Sequence, residues 1–542
     1  VALATLGGLV IAMTVPPWSV SVASLAGMVL FAAAYGSAPD RLRLIGPFRR
    51  NRRAGSPSAS ASPRRADGAV LTALAFGFAV NLVALRFVPT TVARFTPLSS
   101  FAAYGALILL AIAQALPWGV GGWLSDRVSR VGIPRPFAFA FGVYGASLVP
   151  AIFPWSAAAS LAMHPVAIQT AEFIGERGTT ALFALIAALV AEAFRRAATR
   201  DIRGAARPFV AAVLASASLL AFGAARIDAI ATLRRSAPSL QVALVQPGIA
   251  ATERWEEERA PAILARLTEL TKDAEAQGAA LTVWPESAYP FWIPLHATRA
   301  PYGEHAILQY GVRGPVLTGV LATGKPGVVY NAATVAMTDG TLAGVVAKRH
   351  LLLFGEQVPF EEQLPWLRRI FARGTGLHAG GPLEPLVVGD THIAVLNCFE
   401  DMIPLAGREA SRLRPHLVVN VTNDAWFEGT HASALHLRVA VLRAVEMRRD
   451  LVRAVNGGAT SFVDATGQVR ATVRDQTPTV LHANVARIEG PPTFYARAGD
   501  APIVLFIAAA CAVAAGARRV RRKREATKRI EGTTVRANAP TP

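Results

Sequence analysis

HIAVLNCFE, residues 392–400, is the stretch on which the reading of this chain turns. The apolar run from Ile393 to Leu396 has the length of a short buried strand, and it delivers a cysteine at position 398. The chain holds only two cysteines, and the other, Cys511, lies in a long apolar block near the C-terminus. The two cannot readily pair, so Cys398 reads as a free thiol with a chemical role. The plainer alternative, a small buried residue with no reactivity, is the reading taken for Cys511.

Working outward, the same pattern recurs. Residues 240–247 (LQVALVQP) form a strand signal ending in proline, and 280–284 (ALTVW) another that delivers Pro285 and Glu286. Between them, Ile263, Leu264, Leu267 and Leu270 recur at helical spacing within 253–277. Segments 328–337 and 341–348 flank Asp339-Gly340, a hairpin signal, and the second ends on Lys348. A strand at 416–421, a helix at about 431–448 and strands at 451–456 and 460–464 follow. Strands alternating with helices predict an α/β layered domain. Glu286, Lys348 and Cys398 each stand where an apolar strand stops, the place where such domains line a ligand crevice.

This domain does not stand alone. Hydrophobic residues make up 52% of the 542 positions, more than an ordinary soluble chain carries. The excess lies in blocks at 1–16, 18–35, 68–88, 100–123, 136–153, 179–194 and 208–225, and in an eighth at 501–517. Blocks of this length predict membrane spans, about eight in all. The first block is followed at once by Pro16, Pro17 and a second block, with no charged segment before it, and reads as half of a hairpin rather than as a leader peptide.

The net charge of +19 raises the possibility of nucleic acid, but its distribution points elsewhere. Segments 36–67, 124–136, 194–208 and 517–542 contain 25 of the Lys and Arg residues and six of the acids, which accounts for the whole excess. These are alternate connections between the blocks, so they fall on one side of a membrane, and their basicity makes that side the cytoplasm. The expected organisation is a seven-span region, 1–225, with a basic Ser/Arg/Pro-rich cytoplasmic loop at 36–67. An extracytoplasmic catalytic domain, 226–500, an eighth span, 501–517, and a basic cytoplasmic tail, 518–542, complete it. No nucleic-acid partner is expected.

The three strand-end residues suit one another chemically. A thiol needs a base to become a nucleophile, a carboxylate of raised pKa can be that base, and a fixed ammonium can stabilise the oxyanion of acyl transfer. Spacing alone leaves open that they are solvated turn residues. The motifs around them decide more: WPES at 284–287, KRHLLLFGEQVP at 348–359, NCFE at 397–400 and NVTNDAWF at 420–427 resemble, in order, the motif set of the nitrilase superfamily. Together with the apolar blocks, Gln246-Pro247, Arg254-Trp255, His436, Arg443-Ala444, Glu446 and Asn456-Gly457, the chain is similar to the apolipoprotein N-acyltransferase family of bacterial inner membranes.

That resemblance implies an αββα sandwich and a triad: Glu286 as general base, Lys348 as oxyanion and orientation residue, Cys398 as nucleophile. It implies supporting roles for Glu356 and Glu400, and contact with substrate by Trp255, on a mobile arm, and by Phe399. It implies a ping-pong reaction, with a phospholipid, typically phosphatidylethanolamine, as acyl donor and the α-amine of a diacylglyceryl-apolipoprotein as acceptor. It places the protein in the bacterial inner membrane with its catalytic domain on the periplasmic side, and calls for no cofactor. Phe399 stands where the family usually has tyrosine, Leu352-Leu353 where it has Val-Pro, and Gly457 where a second asparagine is common. Trp255 is read equally well as core packing, Trp426-Phe427 as packing, and Gln169 as a solvated loop residue. His350, His431 and His436 lack metal-ligand spacing, so no metal is expected. A membrane-tethered amidase has the same triad, and a lipid-binding membrane protein needs none of it; the intact triad within a membrane frame favours the acyltransferase.

The charge asymmetry makes a direct prediction. A reporter active only in the cytoplasm, fused after residue 490, stays silent in whole cells; strong signal there would reverse the topology.

Overall fold

The computed structural model of the chain describes residues 1–36, 64–370, 376–474 and 476–537. The basic loop expected at 36–67 falls almost wholly outside them, apart from its last residues, which open a helix. Among the described residues nine α-helices precede the first strand: α1 (Ala2–Ala12), α2 (Val22–Gly36), α3 (Arg64–Ala84), α4 (Val88–Phe95), α5 (Ser100–Arg130), α6 (Arg135–Leu148), α7 (Ala157–Ser160), α8 (Ala171–Ala198) and α9 (Ile202–Ser236). Each of the seven apolar blocks contains one of them. α5 starts on Ser99, whose hydroxyl accepts from the Ala102 N–H, and α9 on Asp201, which accepts from the Gly204 N–H at 2.9 Å. Among the described residues four helical stretches are long and apolar enough to cross a membrane: Asp67–Ala84, Ser100–Arg130, Ile202–Ser236 and Ala501–Glu525. α1 and α2, read as a two-span hairpin, are 11 and 15 residues long, against the roughly 20 a span usually needs.

The α/β domain follows directly. β1 (Ser239–Gln246), α10 (Ala260–Ala276), β2 (Leu281–Val283), β3 (Trp292–Pro294), β4 (Val316–Thr323), β5 (Val329–Ala336) and β6 (Leu342–Ala347) lead to α11 (Pro365–Ile370), β7 (Leu386–Val388) and β8 (Thr391–Asn397). Next come α12 (Pro404–Arg412), β9 (Leu417–Asn423), α13 (Ala432–Met447), β10 (Asp450–Asn456), β11 (Thr460–Val463), β12 (Val469–Val473) and β13 (Thr479–Ala486). α14 (Phe494–Ala498) and α15 (Ala501–Ala537) close the chain. One sheet runs β13-β1-β2-β4-β5-β6 with β3 beside β4; the other runs β12-β11-β10-β9-β8-β7.

Both sheets are apolar on both faces, which is why their strands read as continuous runs rather than as alternations. Val242, Leu244, Val283, Leu317 and Val335 of the first sheet meet Val395, Val419, Val421, Val452 and Phe462 of the second in one core. α10 covers the outer face of the first sheet with Ile263, Leu264 and Leu267. α12 and α13 cover the second, and the order is the expected αββα sandwich. α13 is buried on all sides, because its far face packs on α7 and α8 of the helical region.

Two boundaries differ from the expected ones. α9 does not stop at 225; it runs to Ser236 and turns into β1 within three residues, where Arg234 pairs with Asp450 of β10 at 2.7 Å. α15 continues into the basic tail without a break as far as Ala537, since Arg, Lys, Glu and Ala are good helix formers whatever their charge.

The two regions are joined by buried ion pairs at the start of α8. Gly175 leaves helical geometry (φ 66°), and the kink frees the Glu176 N–H, which the Glu446 carboxylate of α13 accepts at 2.6 Å. Arg443 of α13 holds the Glu176 carboxylate at 2.5 Å, while Glu172 pairs with Arg448 and, at 2.8 Å, with Arg226 of α9. A Cβ on Gly175 lies 2.3 Å from the Tyr495 ring. Gly175→Ala is therefore expected to cost on the order of 2 kcal/mol and lower the unfolding temperature of the detergent-solubilised protein. Gly105→Ala, in α5 with open space around its Cβ position, is the control and is expected to leave that temperature unchanged or slightly raised.

Candidate active site

Three strand ends converge. β2 stops at Trp284, whose ring is buried and whose indole N–H donates to Thr271 of α10 at 2.8 Å, so the turn that follows is fixed from below. Pro285 and Glu286 then cross the middle of β4 so closely that a Cβ on Gly319 lies 2.6 Å from the Glu286 Cα; only glycine fits there. β6 ends on Lys348, whose N–H donates to the Asn331 carbonyl at 2.7 Å. β8 ends at Asn397, and Cys398 opens a tight turn, 398–402, with φ at 53°, a left-handed conformation uncommon for a residue with a side chain.

The side chains meet. The Glu286 carboxylate bears directly on the Cys398 thiol: after burial, its charge is the largest influence that raises the thiol pKa. Lys348 Nζ lies 3.5 Å from Glu286 Oε1 and 2.8 and 2.9 Å from the two oxygens of Glu356. Glu286 Oε2 accepts from the Asn423 N–H at 2.9 Å, and Glu356 Oε2 from the Leu352 N–H at 2.9 Å. Lys348 is 1% exposed, and among the described residues its ammonium is held by these carboxylates, with the centre of the Phe399 ring 5.3 Å away.

The structure thus brings together Glu286, Lys348, Cys398, Glu356 and Phe399. Glu400 sits behind them and does not face the thiol. Its carboxylate accepts from the Asn397 N–H at 2.8 Å and from the Arg349 and His350 N–H groups at 2.9 Å, lacing the nucleophile's turn to the strand end that carries Lys348. Trp255 closes a short turn, Glu253–Trp255, and its side chain lies outside the described residues. Trp426 and Phe427 pack on Phe95 and Phe87 of the helical region, in keeping with the packing reading. Gln169 is not solvated: it is fully buried, donating to the Pro165 and Thr466 carbonyls and accepting from Arg448 at 2.8 Å.

One residue escaped the sequence reading. Asn331 of β5 donates from its amide to Glu286 Oε1 at 2.6 Å and to Glu356 Oε1 at 2.9 Å, joining the two carboxylates that flank the lysine. An asparagine alone in the apolar run of β5 was the available signal.

The electrostatics follow from burial among like charges. Burial raises the Glu286 pKa above the usual carboxylate range, against the pull of Lys348, which makes it a competent proton acceptor. Burial, and then the Glu286 charge, raise the Cys398 thiol well above its ordinary value, so the resting sulfur is protonated. Burial opposes the Lys348 ammonium, but Glu356, Cys398 and Glu286 outweigh it and keep the lysine charged. Burial also raises Glu400, against the backbone N–H groups that favour its anion. The arrangement sets a thiol beside a carboxylate of raised pKa and a fixed cation, groups that can support acyl transfer through a covalent intermediate.

Residues 241–489 match the carbon-nitrogen hydrolase family. The chain is 31% identical over 459 residues to an apolipoprotein N-acyltransferase of Geobacter metallireducens, covering 82% of this chain and 86% of the relative. It is 30% identical over 444 residues to one of Bradyrhizobium diazoefficiens, covering 78% and 80%. Among solved structures it is similar to an amidase from Nesterenkonia sp., at 18% identity over 49% of this chain and 94% of that one, with a TM-score of 0.34. It is also similar to Saccharomyces cerevisiae Nit3, a member of branch 10 of the nitrilase superfamily, at 15% identity over 49% and 95%, with a TM-score of 0.34.

The charges around the sulfur give a test independent of any substrate. Because the Glu286 anion raises the thiol and the Lys348 cation lowers it, Glu286→Gln is expected to move iodoacetamide alkylation of Cys398 to lower pH and Lys348→Met to higher pH. The readout is the alkylation rate on the Cys398 peptide across a pH series. Shifts in the opposite directions would show that these two charges do not control the thiol.

Proposed function

The chain belongs to the apolipoprotein N-acyltransferases, and from that premise we propose how its site carries out the reaction. It is an acyltransferase of membrane context that acts on lipoproteins. The observation that carries the mechanistic reading is the convergence of Glu286, Lys348 and Cys398 from three separate strand ends, with Lys348 Nζ 3.5 Å from the Glu286 carboxylate and both charges acting on the thiol.

In the first half-reaction Glu286 takes the Cys398 proton as the sulfur attacks the ester carbonyl of a phospholipid, phosphatidylethanolamine in this reading. Lys348 Nζ stabilises the tetrahedral oxyanion. Collapse breaks the ester C–O bond, the leaving alkoxide takes the proton back from Glu286, and a lysophospholipid departs, leaving an acyl thioester. In the second half the neutral α-amine of a diacylglyceryl-cysteine attacks the thioester and gives a proton to Glu286. The C–S bond breaks, the amide is released, and the proton returns to sulfur. Atoms and charge balance without a cofactor.

Asn331 and Glu356 bond to the Glu286 and Lys348 head groups and Glu400 to the backbone beside Cys398; in this reading they position the reacting groups and take no proton themselves. Trp255 and Phe399 are read as bordering the acyl chain. The lipid character of both substrates is supported by the surroundings of the site. The turn at 423–427 that holds Glu286 packs on α4, next to the membrane-length helices. The segment after Lys348 exposes Leu353, Phe354, Phe360, Leu364 and Trp366. A soluble amidase has no use for such a surface, which favours the acyltransferase over hydrolysis of a small amide. The charge asymmetry supports eight spans in a bacterial inner membrane, with 226–500 on the periplasmic side and 36–67 and 518–542 in the cytoplasm.

The test is the intact mass of the full-length protein purified from membranes or incubated with phosphatidylethanolamine vesicles. Wild type is expected to carry one fatty acyl group that hydroxylamine removes, and Cys398→Ala to carry none. Glu286→Gln loses thioester formation, and Lys348→Ala loses it by on the order of 10²-fold or more. Acylation that persists in Cys398→Ala rules out the covalent mechanism.

A further inference from the structure

His436 lies in the first half of α13, is buried, and takes no part in the reaction just described. Both of its ring nitrogens face carboxylates. Nε2 is 2.7 Å from Asp401 Oδ1, and Nδ1 is 3.3 Å from Asp424 Oδ1. Two carboxylate acceptors call for two N–H donors, so the ring is an imidazolium. Each partner belongs to a turn of the active site. Asp401 is in the turn 398–402 that begins with Cys398, and Asp424 follows Asn423, whose N–H holds the Glu286 carboxylate.

We propose that His436 is a positioning residue of the acyl-transfer site, a cation whose two ring N–H groups tie the turn carrying the nucleophile to the turn that holds the base. This rests on the reading of Cys398 as nucleophile and Glu286 as base. The second consequence is charge. Asp401 is also held by Arg453 of β10 at 2.9 Å, and Asp424 by the Ser433 hydroxyl at 2.5 Å. With His436 charged, two anions face two cations and the cluster is neutral. With His436 neutral, one anion stands uncompensated behind the thiol, and the Asp424 charge is among those that raise Cys398.

The neighbouring elements leave this balance intact. Beyond Asp401, Arg443 is paired with Glu176 of α8 and Glu446. On α12, Glu409 faces Arg349 and His350, and Arg408 faces the Tyr495 ring. Burial alone discharges a histidine, and Arg453 works in the same direction. Asp401 and Asp424 reverse that and hold the pKa at about 9, so the clamp stays charged through neutral pH and is lost only in alkali.

The test uses the full-length protein in phospholipid nanodiscs, with two readouts across a pH series: iodoacetamide alkylation of the Cys398 peptide, and thioester formation by intact mass. His436→Gln keeps hydrogen-bonding capacity but not charge. It is expected to move both profiles to higher pH, with about tenfold lower acylation at neutral pH for each unit of displacement. Asp424→Asn removes the anion and is expected to move alkylation to lower pH. The double variant restores neutrality and is expected to return the alkylation profile towards wild type, a compensation that a purely structural histidine does not give. Should His436→Gln fail to accumulate, the Asp424→Asn shift and the double variant decide the matter. An alkylation profile unmoved in the single variants, or a double variant no nearer wild type than His436→Gln, overturns the proposal. Absence of the thioester in wild type tells instead against the reading of Cys398.

Discussion

The ammonium of Lys348 is the charge around which the rest of the site is arranged. Removing an ion of this kind from water costs several kcal/mol, and the loss is offset only when geometry is good and the partners are themselves anchored. Both conditions hold. Glu356 embraces the ammonium with two oxygens and is fixed by the Leu352 N–H and Asn331; Glu286 approaches it more loosely and is fixed by Asn331 and the Asn423 N–H. The division matters. The tightly bound carboxylate neutralises the lysine, and the looser one, its pKa raised by burial, is left in the proposed reaction to exchange a proton with the thiol. A lysine satisfied equally by both would hold Glu286 as a plain anion with less affinity for that proton.

The same economy governs how the sandwich meets the helices. α13 lies between them, and its polar side chains divide by direction. His436 points into the site, whereas Arg443, Glu446 and the residues after it point at α8 and α9. The kink at Gly175 makes this possible, for an unbroken helix has no free N–H to offer Glu446. Burial raises Glu446 to about 7, so its bonds to Arg443 and Glu176 sit near the edge of their charged state at neutral pH. Arg438, two residues beyond His436, reaches the α1–α2 turn, where it binds the Thr14 carbonyl and, at 2.8 Å, the Ser19 hydroxyl. One helix thus registers the catalytic turns against two separate parts of the helical region.

The strands and the αββα layering were legible because buried strands leave uninterrupted apolar runs, and each catalytic side chain ends one. That Glu286, Lys348 and Cys398 come together was legible for the same reason, with the motifs NCFE and NVTNDAWF supplying order. Helix ends were less so. α9 passes its apolar block because Arg234 finds Asp450, a partner 216 residues away that no local pattern discloses. Gln169 looked like a loop residue because its partners, Thr466 and Arg448, come from the other end of the chain. Asn331 and the carboxylates around His436 were hidden for a related reason. Their meaning lies in what faces them across two sheets, and single residues in apolar runs are silent until the register is known.

An acyl thioester in a site of this kind has two fates, attack by an amine or attack by water, and water is far the more abundant. A carbon-nitrogen hydrolase site can tolerate water because water is its reagent; an N-acyltransferase has to deny it access while admitting a lipid-linked amine. In the proposed reaction the fold supplies that discrimination by placement. Cys398 is only partly exposed at the end of its strand, and the segment following Lys348 turns Leu353, Phe354, Phe360, Leu364 and Trp366 outward. Apolar side chains in that position favour approach from a lipid phase, where water is scarce and where both donor and acceptor reside. The chemistry of the triad then needs no change from hydrolysis to transfer. What differs is which nucleophile reaches the thioester, and that is set by the surface around the thiol rather than by the three residues that activate it.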